Sequence, residues 1–293
     1  MKRPSRKDGL ARLRDPLFNS SVQKALTLLE TFGGDRRTLG LAELAAAAGM
    51  TVSSAQRCIH TLVRIGYLRR DARLRRWVLT PRALSLTEAY LSGHTLLEHA
   101  SAHLIALNQA SGESVSLSEP DGTDMVFIAR FPSLQPFHIH MPVGRRLPMY
   151  CTASGRAYLT ALPTAAARRV LARSRLTTHT PQTVTDAQQI WKRIEAARES
   201  GYAWSDQEYY RGDVTIAAPV LGEDGQPLAA LNISAPTSRW TLSQLRTKLA
   251  PLLLQSAQAA SLGHTLRSAR RVAREPGEKC RNSAARCNPA TSP

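Results

Sequence analysis

The chain has 293 residues, and 39 Lys and Arg against 22 Asp and Glu give it a formal net charge of +17. A balance this basic favours nucleic acid, an anionic surface or an acidic ligand as partner. Four cysteines are too few for a disulfide framework in a chain of this size. No apolar run reaches the roughly 18–20 residues that a membrane span needs, and the N-terminus does not read as a signal peptide, so we expect a cytoplasmic protein with no membrane partner.

The first quarter of the sequence predicts three helices. The stretch NSSVQKALTLLETFGG has apolar residues at helical spacing after a cap at Ser20 or Ser21. LGLAELAAAAGM predicts a second, short helix, and a third is expected from Val52 to about Ile65 behind a Thr51 cap. Two short helices joined at a glycine, after a longer first helix, are typical of a helix-turn-helix.

The third helix has an apolar side and a polar side when its residues are placed at about 100° each. The apolar side comprises Val52, Ile59, Leu62 and Val63. The polar side comprises Ser53, Arg57, His60, Thr61 and Arg64. The helix has no acidic residue, and its hydroxyls, imidazole and guanidinium groups suit base edges and phosphates in a major groove. We interpret it as a DNA recognition helix.

A basic wing follows this helix. In YLRRDARLRRWVLT, Tyr67-Leu68 and Trp77-Val78-Leu79 predict two short strands around a turn at 71–75. The arginines in and around the turn suit a phosphate backbone. The order helix, turn, polar-faced helix and basic hairpin therefore predicts a winged helix-turn-helix.

Residues 83–110 predict a largely helical connection with an imperfect heptad seam, interrupted at Gly93. The seam positions are Leu86, Ala100 and Leu107 in one row and Tyr90, Leu97 and Leu104 in the other. A seam of this kind would pair two copies of the chain, and two winged helices at a fixed distance would read a palindrome. The alternative, that the helix packs on its own domain, stays open.

The second half mixes strands and helices, which favours an α+β domain with a mostly antiparallel sheet. ESVSLSEPDGTDMVFIARF and DVTIAAPVLGEDGQPLAALNISAP predict two hairpins. CTASGRAYLTALP starts a helix with Thr152 as cap, and further helices are expected over 164–174, over 186–200 and from Thr241 to about Ser268. The helix over 186–200 is expected to begin behind a cap at Thr185 or Asp186.

The sequence offers little for catalysis or metal binding. It has no GxSxG, HExxH or phosphate-binding loop. His138 and His140 share a strand face without a nearby acid, and the spacing of Cys280 and Cys287 fits no usual zinc pattern, so we expect no metal and no cofactor. Cys151 could be a nucleophile at a helix N-terminus, where the dipole lowers a thiol pKa, but buried packing explains it better. A small-molecule sensor, which needs a pocket but no reacting group, fits this domain.

Five segments resemble one family. SVQKALTLLETF, LAELAAAAGMTVSSAQRCIHTLVRIGYL, PVGRRLPMYCTASGRAYLTAL, GYAWSDQEYYRGDVTIAAPV and AALNISAP follow, in order and spacing over about 20–265, the pattern of the IclR family of bacterial transcriptional regulators. The resemblance implies a winged helix-turn-helix, a linker helix used in dimerisation and a GAF-like effector domain. It also implies a dimer or dimer of dimers whose affinity for DNA responds to a small metabolite, often a carboxylate or an aromatic acid.

The resemblance and the patterns together define five segments. These are a basic disordered arm (1–18), the winged helix-turn-helix (19–80), the linker helix (81–110), the effector domain (111–268) and a disordered basic tail (269–293).

The resemblance and the polar face of the third helix together predict two sets of site residues. The expected DNA contacts are Thr51, Ser53, Ser54, Gln56, Arg57, His60, Arg69 and Arg76. The expected effector contacts are Cys151, Thr152, Ala153, Ser154, Gly155, Asp206, Thr215, Asn232 and Ser234. The first five of these form a helix N-terminus, which suits an anionic ligand.

The chain departs from the family at several of these places. Thr215 stands where many members have Cys, and Asn232 and Ala235 replace a Ser and a Gly. QEYYRG replaces an acidic run, so that Arg211 could pair with a carboxylate and the two tyrosines could flank an aromatic ring; a surface loop explains them equally well. We expect a small organic acid, aromatic acids included, as effector. A ligand-independent DNA-binding regulator and a Cys151-dependent enzyme are the alternatives.

Overall fold

The computed structural model describes residues 15–33, 36, 38–133, 135 and 141–261. The first 14 residues of the basic arm, the pair His138 and His140 and the predicted basic tail with its two cysteines lie outside the described residues. Backbone contacts divide the chain into two compact units, one ending at Gly93 and the next beginning at His94. The narrower domain limits given above remain predictions.

The N-terminal unit is a cluster of three helices followed by a two-stranded hairpin and a fourth helix. Its elements are α1 (Ser20–Leu29), α2 (Leu41–Ala47), α3 (Val52–Arg64), β1 (Leu68–Arg70), β2 (Trp77–Leu79) and α4 (Leu84–Ser92). The strands β1 and β2 pair antiparallel, with Arg70 opposite Trp77. The winged helix-turn-helix predicted from the sequence is confirmed.

The ends of α3 follow from local chemistry. The Thr51 hydroxyl accepts the Ser54 amide at 3.3 Å and caps the helix as predicted. At the other end Gly66 has a φ of +82°, a left-handed conformation that turns the chain out of the helix at no steric cost to glycine. The chain then enters the wing directly.

The cap of α1 differs from the prediction. Asn19, and neither Ser20 nor Ser21, is the N-cap, and its side-chain oxygen accepts the amides of Ser21 at 3.0 Å and Val22 at 3.2 Å. Asparagine competes well with serine at this position because its oxygen reaches the first free amides. Both candidate serines therefore lie inside the helix.

The buried stripe of α3 is narrower than its sequence indicates. Ala55, Ile59 and Leu62 are buried in the core of the unit, whereas Val52 is 51% and Val63 38% exposed. In a unit this small, α1, α2 and β1 cover the helix from one side, so that about a hundred degrees of its surface is buried. Val52 and Val63 lie at the edges of the exposed side.

The C-terminal unit is a six-stranded sheet with helices against it. Its strands are β3 (Ser114–Asp121), β4 (Asp124–Phe131), β5 (Arg146–Pro148), β6 (Ala203–Asp206), β7 (Asp213–Leu221) and β8 (Pro227–Pro236). Its helices are α5 (Thr95–Ser111), α6 (Ala153–Ala161), α7 (Thr164–Arg173), α8 (Ala187–Ser200), α9 (Leu242–Gln244) and α10 (Ala250–Ala260). The sheet order is β5-β4-β3-β8-β7-β6, and all neighbours are antiparallel. The predicted α+β class is confirmed.

The two ends of this unit refine the sequence prediction. Asp186 caps α8, accepting the Gln189 amide at 2.8 Å. The final helix is divided into α9, a π-helical turn (Leu245–Leu249) and α10, and its predicted end near Ser268 lies outside the described residues.

The predicted linker is two helices, because the chain leaves α4 at Gly93 and starts α5 behind a His94 cap. Ala100, Leu104 and Leu107 of the expected seam are buried inside the C-terminal unit, where α5 packs on α10 and the sheet. On α4, by contrast, Leu86 and Tyr90 are 58% and 53% exposed. The alternative of packing on its own domain therefore holds for α5, and the exposed part of the seam is on α4.

The two faces of the central sheet differ in character. Side chains alternate between the faces along each strand, so Leu117, Leu231 and Ile233 form an apolar face under α5 and α10. The opposite face, beneath α6, carries Ser116 and Asn232 at paired positions of β3 and β8. A polar face inside a buried sheet is costly unless it is satisfied or serves a ligand.

Candidate functional site

The exposed side of α3 presents most of the predicted DNA contacts together. Ser53, Gln56, Arg57 and His60 are exposed, and Ser54 is half-buried. The hydroxyl of Thr51 is engaged as the helix cap. This face of α3 can therefore offer amide, imidazole, hydroxyl and guanidinium groups to base edges.

A groove of about 520 Å³ runs between α1 and α3. Lys24 and Arg57 line it from the two helices, together with the hydroxyls of Ser21 and Ser53. The described residues that line the groove include two cations and no acid. Such a rim suits the phosphates that flank a reading helix.

The wing carries exposed arginines on a defined turn. The Asp71 carboxylate accepts the amides of Arg73 at 3.0 Å and Leu74 at 2.9 Å. Arg69 and Arg73 are exposed. The one acid of the wing is thus used to build the turn, and the exposed arginines can lie along a phosphate backbone.

Arg76 differs from the other predicted DNA contacts. It is half-buried, donates to the Thr38 carbonyl at 3.1 Å and pairs with the Glu43 carboxylate. The Gly40 amide and then Arg76 lower the pKa of Glu43. The Arg76 side chain therefore ties the base of the wing to the start of α2.

The predicted effector residues of α6, β7 and β8 meet on the polar face of the sheet. The Ser154 hydroxyl donates to the Asn232 side-chain oxygen at 3.2 Å. Ser234 is opposite Thr215 in the register of β8 and β7. These four side chains come from three separate segments and form one hydroxyl- and amide-lined surface.

The start of α6 is closely packed. The Thr152 hydroxyl accepts the Gly155 amide at 3.3 Å and donates to the Pro148 carbonyl at 2.8 Å. A Cβ on Gly155 would be 2.1 Å from the Met149 Cα, so glycine is required there. Ala153 is buried beside them. These residues set the position of the helix N-terminus and of Ser154.

Cys151 is fully buried in the core under α6. Burial raises the pKa of its thiol to about 12. The helix dipole does not produce a thiolate here, because desolvation opposes it more strongly. The predicted packing role fits this environment.

Asp206 is separated from the rest of the predicted set. It pairs with Val214, which is the neighbour of Thr215 along β7. Because successive side chains of a strand point to opposite faces, Asp206 lies on the other face of the sheet. Its carboxylate accepts the Gln207 side-chain amide at 3.3 Å.

Two charged residues that the sequence reading missed lie on the polar face. Arg130 of β4 donates to the hydroxyls of Ser114 at 3.2 Å and Ser116 at 3.4 Å. Asp213, at the start of β7, accepts from the hydroxyls of Ser234 and Thr215. A sequence signal existed, because serine alternates with apolar residues through SVSLS of a buried strand, which marks one polar face.

The QEYYRG segment forms an aromatic wall beside this face. The rings of Tyr209 and Tyr210 are 4.7 Å apart and perpendicular, and Tyr209 lies 4.5 Å from the ring of His179. Both tyrosines pack against a small apolar cluster that contains Phe127 and Met141. Two phenol rings next to hydroxyl groups and a guanidinium suit an aromatic ligand.

The arginine beside the tyrosines is not the one indicated by the sequence. Arg145, before β5, donates to the Tyr210 hydroxyl at 3.0 Å, and Tyr210 raises its pKa against the effect of burial. Arg211 is exposed. Arg130 and Arg145 are therefore the cations near the wall.

A buried ion pair fixes the tyrosine segment to α6. Arg156 and Glu208 meet in a bidentate pair with both N–O distances 2.6 Å, and each side chain is 1% exposed. Arg193 adds a second cation to Glu208. Because Glu208 directly precedes Tyr209, this pair fixes the wall relative to the helix.

The described residues offer no sign of two other kinds of site. None of their helices is long and apolar enough to cross a membrane. Within the same residues, no three His, Cys, Asp or Glu side chains are arranged to hold a metal ion.

Comparison with known proteins assigns both units. Residues 21–72 match the IclR helix-turn-helix domain, and residues 88–262 match the bacterial transcriptional regulator IclR C-terminal domain. The chain is 32% identical over 245 residues to a Pca regulon regulatory protein of Pseudomonas putida, covering 83% of this chain and 84% of that protein.

Two further comparisons agree with this assignment. A p-hydroxybenzoate hydroxylase transcriptional activator of Acinetobacter baylyi is 31% identical over 252 residues, 84% of this chain and 92% of that protein. The crystal structure of an IclR transcriptional regulator from Alicyclobacillus acidocaldarius has a TM-score of 0.73 at 25% identity, covering 84% of this chain and 99% of that one. The chain belongs to the IclR family of DNA-binding transcriptional regulators.

Proposed function

We propose that this regulator binds a palindromic operator as a dimer or dimer of dimers and that a small aromatic acid in its C-terminal unit changes its affinity for DNA. In this proposal it works in the cytoplasm and catalyses no reaction. The observation that carries it is the polar sheet face, where Arg130, the hydroxyls of Ser114 and Ser116 and the phenols of Tyr209 and Tyr210 converge.

These groups fit the two ends of an aromatic acid. A guanidinium with hydroxyl neighbours receives a carboxylate through charge-assisted hydrogen bonds, and Tyr209 and Tyr210 give a ring an apolar flank. One relative is a Pca regulon regulatory protein, and another is the transcriptional activator of p-hydroxybenzoate hydroxylase, an enzyme named for an aromatic acid. We therefore propose hydroxybenzoate-like acids as the effector class, with Ser154, Asn232 and Ser234 as further contacts.

Calorimetry on the full chain tests the effector class. 4-Hydroxybenzoate should bind, and 4-hydroxybenzyl alcohol, which keeps the ring and phenol but lacks the carboxylate, should bind at least tenfold more weakly. Equal affinity for the acid and the alcohol would contradict a carboxylate site.

The DNA-reading role is assigned to α3, with Ser53, Gln56, Arg57 and His60 at base edges and Arg69 on phosphate. Arg57→Ala should weaken binding to the operator by about 1–3 kcal/mol if Arg57 reads a base. The measurement is fluorescence anisotropy at several salt concentrations, with the operator mapped first by footprinting of the upstream DNA. Arg73→Ala on the wing is the matched control and should weaken operator and random DNA equally. An equal loss on both DNAs for Arg57→Ala would make it a phosphate contact.

The dimer is proposed from α4. Leu84, Leu86 and Tyr90 leave apolar surface exposed along this helix, and such a patch favours association. Sedimentation of the wild type and of Leu86→Glu gives the test. The wild type should sediment as a dimer or larger, and the variant should dissociate at concentrations where the wild type does not.

A further inference from the structure

Asp213 is a carboxylate placed directly on the proposed effector face. It starts β7, and its two oxygens accept the hydroxyls of Ser234 at 2.6 Å and of Thr215 at 2.9 Å. Both hydroxyls belong to the predicted effector contacts. The ligand-facing donors of β7 and β8 are therefore already occupied by a carboxylate of the protein itself.

Arg130 is a cation on the same polar face of the sheet as this carboxylate. Its guanidinium extends from β4 over β3, where it donates to Ser114 and Ser116. Ser114 pairs with Ser234, whose hydroxyl holds Asp213, so one row of side chains joins the two charges across the sheet. Burial lowers the pKa of Arg130 and raises that of Asp213, and the charge of each residue opposes the effect of burial on the other.

An incoming carboxylate would place two anions beside one guanidinium. Two carboxylates that share a cation in a site with little water cannot both remain ionised at low cost. The half-buried Asp213 carboxylate, which already accepts two hydroxyls, either remains charged and repels the ligand or takes a proton.

We propose that Asp213 is the internal counter-ion of Arg130 and that an aromatic acid replaces it there, with Asp213 taking up one proton from solvent as the acid binds. The proton balance is simple: the effector stays a carboxylate, Asp213 becomes a carboxylic acid, and no covalent bond of the effector changes. This inference rests on the proposed function, since it specifies how the same face receives the acid.

The surroundings of Asp213 favour this exchange. Burial already raises its pKa, against the opposing effects of the Ser234 and Thr215 hydroxyls and of Arg130. Once Arg130 turns to the ligand, the remaining neighbours of Asp213 are the two hydroxyls, which can rotate to accept its proton.

Other titratable groups near the face do not replace Asp213 in this role. Tyr210, on the segment before β7, acts on Arg130 and accepts from Arg145. Asp206 of β6 is on the opposite face by register, and Arg211 is exposed. Asp213 is thus the carboxylate whose charge the ligand meets.

The exchange makes effector binding depend on pH. One proton taken up per ligand means that the dissociation constant of the acid rises about tenfold for each pH unit between the pKa of Asp213 in the free protein and its higher pKa in the complex. A regulator of this kind responds to an aromatic acid more strongly when the surroundings are slightly acidic. A neutral analogue, which does not compete for Arg130, should show no such dependence.

The test is isothermal titration calorimetry of the full chain with 4-hydroxybenzoate between about pH 6 and pH 8. Each titration is repeated in two buffers with different ionisation enthalpies, which gives the number of protons exchanged. The wild type should take up close to one proton at the upper pH. Asp213→Asn should take up none and bind the acid at least tenfold more tightly at pH 8. The exposed Glu223 on the β7–β8 turn provides the matched control, because Glu223→Gln should behave as the wild type.

The outcomes separate this inference from the function on which it rests. Binding of 4-hydroxybenzoate by the wild type without proton uptake would overturn the role of Asp213 and leave the aromatic-acid effector intact. No binding at any pH, by the wild type or by Asp213→Asn, would overturn both. The proton count on the wild type decides the matter even if a variant does not fold. Uptake with 4-hydroxybenzyl alcohol equal to that with the acid would also contradict an exchange of carboxylates.

Discussion

Glu208 is the acid whose loss should damage the C-terminal unit most. Glu208→Gln leaves Arg156, which is fully buried, with its bonds to the Tyr150 and Trp204 carbonyls but without an anion. The amide has one accepting oxygen where the carboxylate offered two to Arg156, and its own NH₂ group then faces a guanidinium. An uncompensated buried charge is the result.

The magnitude follows from the burial of both partners. Removing one member of a buried ion pair costs about 3–5 kcal/mol of the free energy of unfolding. For a domain of this size that corresponds to a fall of about 6–20 °C in melting temperature. Glu208 also accepts the Val184 amide at 3.3 Å and pairs with half-buried Arg193, so the upper part of this range is expected.

Differential scanning calorimetry on the full chain measures the effect. Glu199→Gln, at an exposed site of the same unit, is the control and should change stability by about 0.5 kcal/mol or less. The double variant Arg156→Met with Glu208→Leu should recover part of the loss, because it removes the buried guanidinium together with its anion, although Arg193 still loses its partner. A single Glu208→Gln variant that melts within about 1 °C of the wild type would refute the reasoning.

Two further predictions concern the start of α6. Gly155→Ala would place a Cβ 2.1 Å from the Met149 Cα and should lower the free energy of unfolding by about 3 kcal/mol or more, measured in a thermal melt, because the Met149 backbone would have to move. Gly93→Ala is the control: its Cβ would meet no atom within 4 Å, so it should lower the free energy of unfolding by less than 1 kcal/mol. Cys151, with its pKa raised to about 12, should resist iodoacetamide at pH 8 in the native protein and react only after unfolding. The half-buried thiol of Cys58 should react before Cys151, and peptide mass spectrometry measures both modifications. Rapid modification of Cys151 in the native protein would instead support its role as a nucleophile.

Some predictions for the N-terminal unit succeeded because they depend on short-range chemistry. A cap hydroxyl at Thr51, a left-handed Gly66 and the spacing of Ala55, Ile59 and Leu62 act within a few residues of each other. These local structures can therefore be predicted from neighbouring residues in the sequence. Val52 was misjudged because the extent of the buried side depends on which elements pack against it, and periodicity alone does not contain that.

The candidate sites show the same division. Sequence reasoning assigned Ser154, Thr215, Asn232 and Ser234 to one place through the family resemblance, and the sheet register brings them together. It missed Asp213, whose pKa is affected by the guanidinium of Arg130 from another hairpin. An isolated acid at the start of a strand carries no sign of its partner.

Arg76 and Arg69 illustrate the limit from the other side. Both are arginines of one basic hairpin, and nothing in their immediate sequence separates them. Arg76 pairs with Glu43 and donates to the Thr38 carbonyl, both more than thirty residues away in sequence, whereas Arg69 is exposed.

The order of elements and the winged helix-turn-helix followed from the sequence, because capping, periodicity and turn chemistry are local properties of the chain. The family followed from the resemblance of five segments in order and spacing. Tertiary structure alone decided which charges are paired and which are left for DNA or a ligand. Arg130, Arg145 and Arg156 have the same side chain, and only their partners across the sheet and the tyrosine segment give them different roles. The physical reason is that the interaction of a charge depends on distance and burial, and both are set by residues that are remote in sequence.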